Sequence, residues 1–77
     1  MDYDEARSQY SAGHLTEAVM EPSPSDNGWM LLFRDDHGDL QTLTDHSGHA
    51  RLFRDLDAAA ELAHRIGFRL VNVEERF

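Results

Sequence analysis

Three histidines, His37, His46 and His49, stand among four aspartates, Asp35, Asp36, Asp39 and Asp45. Imidazole nitrogens and carboxylate oxygens are donors that hold zinc or nickel. The spacing here follows no recognised ligand pattern, and both residue types are ordinary in tight turns, so we expect neither a metal nor any other cofactor. Nucleophilic catalysis needs a Ser, Thr or Cys beside an oriented base, and the chain encodes no such arrangement. His64 reads as a cation at a helix C-terminus and Ser47 as a turn residue. A chain of 77 residues also has little volume with which to enclose a substrate. We therefore read it as non-enzymatic.

Charge narrows the partners. The formal net charge is -8, and all seven cations are arginine. Residues 1–45 hold ten carboxylates against Arg7 and Arg34, whereas residues 46–77 hold five of each sign. An acidic surface keeps a small protein soluble and repels nucleic acid. Arg51, Arg54, Arg65 and Arg69 could gather to clamp phosphates, against the simpler expectation that they pair with Asp55, Asp57 and Glu61. Conversely, Asp2, Asp4, Glu5, Glu17, Glu21 and Asp26 could imitate the charge of DNA if they formed an ordered row. Regulation of nucleic-acid transactions, by weak DNA binding or by acidic mimicry, is thus the alternative to a protein partner.

The elements that must position these groups are set by glycine. Asp35-Asp36-His37-Gly38 and Asp45-His46-Ser47-Gly48 are two Asp-x-x-Gly turns with apolar runs on either side. Asp suits the first position of a type I turn and Gly the last, where φ becomes positive. Residues 28–53 accordingly read as three strands joined by hairpins: Gly28–Arg34, Leu40–Thr44 and His49–Phe53. The five apolar residues Trp29–Phe33 mark a central strand with large side chains on both faces. Asp55–Ile66 is an amphipathic helix with Asp55 as N-cap, Gly67 as stop and Leu56, Ala59, Ala60, Leu62, Ala63 and Ile66 on one face. Residues 2–12 suit a short helix that Asp2 and Glu5 can cap. Leu15–Glu21 alternates like a strand, with Leu15, Glu17, Val19 and Glu21 on one side. Phe68–Val73 reads as a last strand and Glu74–Phe77 as a short tail.

The expected fold is α+β in a single domain. An antiparallel meander of three to four strands packs on one main C-terminal helix, with a short N-terminal helix and a final strand. Trp29 and Leu62 are its expected buried anchors. No cysteine is available for a disulfide or a thiolate zinc site, so apolar burial must hold the domain together. The longest apolar run, Trp29–Phe33, is far shorter than a membrane span, and the acidic N-terminus lacks signal-peptide features. A cytoplasmic protein without membrane contact is the expectation.

Gly28–Phe33, Leu43–Gly48, Arg51–Ala60 and Ile66–Phe68 resemble segments of small accessory proteins carried by plasmids and integrative conjugative elements of Gram-negative bacteria. The resemblance spans residues 28–73 and implies a bacterial mobile-element role exercised through other macromolecules. It brings no catalytic or binding residues with it. If the main helix covers one face of Trp29–Phe33, the other face needs a second covering surface. Trp29, Met30 and Leu32, with Arg51 and Arg54 nearby, are therefore the candidate interaction surface. Its expected partner is another protein or a second copy of the chain.

Overall fold

The first helix, α1 (Tyr3–Ser11), is fixed by a reciprocal cap. The Glu5 N–H donates to Asp2 Oδ1 at 2.9 Å, and Glu5 Oε1 accepts from the Asp2 N–H at 3.2 Å. Gly13 ends the segment at φ +81°, and β1 (Leu15–Pro22) begins two residues later. Then follow β2 (Trp29–Asp35), β3 (Leu40–Thr42), β4 (Leu52–Phe53), α2 (Leu56–Ile66) and β5 (Val71–Val73). This computed structural model describes residues 1–74; beyond Glu74, the expected tail lies outside the described residues.

Sheet order is β3-β2-β1-β5, with β4 also paired to β2. β1 and β2 run antiparallel with Ala18 opposite Phe33 and Met20 opposite Leu31, while β5 runs parallel to β1. Ala18, Met20, Leu31 and Phe33 meet Ala6 of α1 and Ala59, Ala63 and Ile66 of α2 in one core. Both helices therefore cover the same face of the sheet. Small alanines at the helix contacts let the backbones approach the sheet closely, and the aromatic rings fill the remaining space. Phe68, just past α2, folds back between Phe33 and Tyr10 at ring-centroid distances of 5.7 and 4.6 Å.

Three local features depart from the sequence reading. In β1, the register with β2 shifts between Leu15 and Glu17. This bulge turns Leu15 into the core beside Ala18 and Met20, away from the side of Val19 that simple alternation gives it. Trp29 and Leu62 pack against the margin of the core, whose largest fully buried side chains are Phe33, Leu31 and Leu43; Val19 is fully buried on the other face of the sheet. Position explains this: Trp29 opens its strand, and Leu62 stands beside the buried Ala59–Ala63–Ile66 stripe of α2.

The third departure concerns the second hairpin. β3 and β4 do not pair with each other; both line the same edge of β2, at Leu32–Arg34 and at Trp29–Met30. The Leu43 N–H donates to the Leu31 carbonyl at 2.8 Å, which extends β3 by one step before the chain leaves the edge. It returns at Leu52, opposite Met30. Residues 44–51 are thus a short hairpin inserted within one edge strand, closed by the Thr44–Ala50 bridge, with the Arg51 N–H donating to the Leu43 carbonyl at 3.0 Å and the Asp45 N–H to the His49 carbonyl at 2.8 Å.

Both turns nonetheless have the expected chemistry. Asp35 Oδ1 accepts from the N–H groups of His37 and Asp39, each at 2.9 Å. Asp45 Oδ1 accepts from those of Ser47 at 2.8 Å and His49 at 3.0 Å. Gly38 and Gly48 close the turns at φ +88° and +89°. Backbone hydrogen bonds hold the Asp45 carboxyl below its ordinary value of 3.8, those from His49 first. At Asp35, burial pushes the carboxyl up, but the bonds from Asp39, Gln41 and His37 outweigh it and the net direction is down. A carboxyl depressed in the folded state adds stability that is complete above 3.8 and lost as pH falls through the folded value. We expect the denaturation midpoint to fall in that acid range, and Asp35→Asn with Asp45→Asn to flatten the fall while keeping the turn bonds. A midpoint indifferent to acid in the parent chain would contradict this assignment.

Candidate functional site

With both helices on one face, the opposite face of the sheet carries no described element. Alternation from the core residues places Val19 and Glu21 of β1 there, with Met30, Leu32 and Arg34 of β2. Cross-strand partners extend the rows. Arg34 stands between Glu17 and Leu40, and Leu32 stands between Val19 and Thr42. Met30 stands between Glu21 and Leu52. Val19 and Leu32 are buried, and Met30 is half-buried. Arg34 is engaged at one end: its Nε donates to Glu17 Oε1 at 3.4 Å, and its guanidinium also donates to the Gly38 carbonyl at 2.9 Å.

β5 forms one end of the sheet. The Glu74 N–H donates to the Met20 carbonyl at 2.8 Å. Alternate residues of a strand bond to the same neighbour, so Asn72 shares this direction, and Val71 and Val73 turn their N–H and C=O groups outward. The side chains beside that edge are apolar and open: Leu70 is 81% exposed and Val73 45%. Leu40 and Leu52, at 39% and 41%, border the opposite edge.

The candidate surface residues do not form one patch. Met30 and Leu32 share the open face, but Trp29 lies on the helix side against the core. Arg51 sits over the Phe53 ring, 5.4 Å from its centroid, and shares a depression with Arg65, Glu61 and Leu62. Arg54 is exposed between β4 and α2. Arg65 pairs with Glu61 at 2.9 Å, whereas Arg69 borders a different depression, with Tyr10 and Leu15. Arg51 and Arg65 thus border one depression, whereas Arg54 and Arg69 do not line it. Of the acidic set, Asp2 and Glu5 are engaged in the α1 cap, Glu17 and Glu21 lie on the open face, and Asp26 sits in the β1–β2 loop.

The turn histidines each find a carboxylate. His37 Nε2 is 3.8 Å from Asp36 Oδ1, His46 Nδ1 is 3.3 Å from Asp2 Oδ2, and His49 Nδ1 is 3.6 Å from Asp45 Oδ2. Asp36 also faces His14, at 3.1 Å from its Nδ1, and this hydrogen bond lowers the Asp36 carboxyl. Asp36 thus faces two histidines, but among the described residues no three His, Asp or Glu side chains are placed to share a metal ion. The His46–Asp2 pair ties the inserted lobe to the N-cap of α1, and the Thr44 N–H donates to the Met1 carbonyl at 2.7 Å beside it. His46–Asp2 and His14–Asp36 thus link distant segments, whereas His37–Asp36 and His49–Asp45 stay within one turn.

No described helix is long and apolar enough to cross a membrane. Comparison with known proteins returns no matching family model, curated protein or solved structure.

Proposed function

We propose that this chain is a non-enzymatic binding module that recognises another protein, or a second copy of itself, at the β5 end of its sheet. The observation that carries this reading is the outward backbone of Val71 and Val73 beside the exposed Leu70 and Val73 side chains. An unpaired strand edge with apolar neighbours is a template for strand addition, in which backbone bonds give affinity and alternate side chains give selectivity. The open sheet face adds Met30, Leu40 and Leu52 to the available apolar surface. A place on a mobile genetic element is supported by the sequence resemblance alone.

The test uses the full chain as bait in extract of its own host, beside the variant Val73→Lys. Lysine on an exposed edge hinders strand addition without entering the core. Specific capture that Val73→Lys abolishes is the expected result. Capture indifferent to that change, or no specific capture, overturns the reading. Light scattering over a concentration series identifies a second copy if the mass rises toward twice that of the monomer and Val73→Lys restores the monomer.

A further inference from the structure

Where the open face meets the β5 end, Glu21, Pro22, Ser23, Pro24, Met30 and Glu74 line a groove of about 380 Å³. The register dictates its composition. Met20 lies opposite Val73 in the parallel β1–β5 pair, so the next step sets Glu21 beside Glu74. The Glu74 N–H bond to the Met20 carbonyl holds that step in place. Two like charges that line one groove disfavour each other. Among the described residues neither carboxylate has an ion-pair partner, whereas Glu17 on the same face is matched by Arg34. Met30 lies on the other side of Glu21, in the same row of the sheet, and the two prolines close the end. Among the described residues the groove therefore joins two unpaired negative charges to an apolar floor.

We propose that this groove receives an arginine side chain from an extended, basic segment of a partner protein. The inference deepens the binding-module reading and rests on it. A guanidinium fits both halves of the site: its five donors can bridge two carboxylates, and its flat, weakly hydrated face packs on proline and methionine. Complementary charge also selects the partner. A second copy brings the same two glutamates and the same net charge of -8, so this groove favours a different and basic chain. Because Glu74 directly follows β5, a strand added along the free edge of Val71–Val73 ends within reach of the groove. One segment can then use the backbone edge for affinity and the groove for selection.

The test is a titration of the isotope-labelled full chain with a blocked peptide of alternating arginine and valine, at physiological ionic strength. Its counterpart has citrulline in place of arginine, which keeps the shape and removes the charge. The arginine peptide is expected to move the backbone amides of Glu21 and Glu74 and the Met30 methyl with one common affinity, and the citrulline peptide to leave them in place. Glu21→Gln combined with Glu74→Gln should weaken binding about tenfold or more, since two charge-assisted contacts are lost. Asp57→Asn on α2 should leave binding unchanged. The paired glutamine variant should also unfold at an equal or higher denaturant midpoint, because it relieves the repulsion; that readout separates lost binding from lost folding.

Equal weakening by Asp57→Asn, or shifts spread over Asp36 and Asp45, would reduce the effect to general attraction and overturn the site. Equal competition by spermine or calcium would assign the groove to a small cation and overturn a protein partner. Tighter peptide binding after removal of residues 75–77 would assign it to the chain's own end. If the host partner is still captured by the paired glutamine variant, the groove falls while the binding-module reading stands. If nothing specific is captured by the parent chain, the reading itself falls.

Discussion

Replacing Phe33 by alanine should remove a large share of the stability of this domain. Phe33 is 0% exposed at the centre of β2, opposite Ala18 on one side and Gln41 on the other. Its ring is nearly parallel to that of Phe68, at an interplanar angle of 13°. Phe68 in turn touches Tyr10, so one side chain joins the middle of the sheet to the exit of α2 and the end of α1. Truncating a buried phenylalanine costs about 3–5 kcal/mol, the upper part of that range applying where the walls cannot collapse. Here the walls are a central strand and two helices, which move only together. A chain of this length is stable by about 4–12 kcal/mol on the usual per-residue scale. Urea unfolding followed by circular dichroism should therefore find the Phe33→Ala midpoint far below that of the parent, with the variant unfolded at 25 °C where the parent stands at the low end of that range. Phe33→Leu, which keeps most of the volume, should lose less than about half as much. Exposed Leu40, at 39%, supplies the contrast: Leu40→Ala should leave the midpoint almost unmoved. A Phe33→Ala midpoint close to that of the parent would mean that residues 29–35 are not the centre of the sheet.

The parts of this fold legible in the sequence are those whose cause is local. Asp2 with Glu5, and Asp55 before α2, announce helix starts because the bonds they make span only three residues. The two Asp-x-x-Gly turns are likewise self-contained, each carboxylate accepting from N–H groups two and four residues on. What was not legible depends on partners distant along the chain. Leu40 and Leu43 are the same residue in the same stretch, yet one is exposed and the other is wholly buried. Odd spacing along the strand puts them on opposite faces, and only the pairing of Leu43 with the Leu31 carbonyl fixes which face is the core. The same pairing makes the second hairpin an insertion in an edge strand, a distinction that turn chemistry cannot make because the turn is identical in both arrangements. The bulge at Thr16 was also hidden: a shift of one residue reverses which side of β1 is buried, while the residue types stay the same.

The candidate surface shows the same division. An apolar run such as Trp29–Phe33 says that both faces of a strand are large, and it does not say which face the helices take. Met30 and Leu32 turned out to share the open face, and Trp29 belongs to the other side. Glu21 and Glu74 could not have been paired from the sequence at all. They are 53 positions apart and become neighbours only because β5 runs parallel to β1. Parallel pairing across an intervening helix leaves no short-range signature. The feature that gives the groove its charge is therefore a product of topology, and it became visible only with the register.

Gly67→Ala should be the most damaging single-methyl addition in the chain. Gly67 stops α2 at φ +138°, with its N–H donating to the Ala63 carbonyl at 3.1 Å. Residues with a Cβ avoid that backbone region at a cost of about 1–3 kcal/mol. The site is also full. A Cβ added there would stand 2.6 Å from Tyr10 Cδ1, closer still to Cε1 and 3.1 Å from Cζ. Tyr10 cannot swing clear without leaving Phe68, 4.6 Å away between ring centres. Overpacking of this kind adds about 1–3 kcal/mol, so the expected total is about 2–6 kcal/mol. Gly13 provides the internal reference, since it has φ +81° but nothing within 4 Å of an added Cβ. Gly13→Ala should show the conformational cost alone, about 1–2 kcal/mol. The steric share is isolated by a double-mutant cycle with Tyr10→Ala, which removes the obstructing ring. In that background Gly67→Ala should cost at least about 1 kcal/mol less, a coupling of the size found between residues in contact. Additive effects would show that α1 does not rest its tyrosine on the end of α2. The docking of that short helix, which has only a thin apolar stripe of its own, would then have to come from elsewhere.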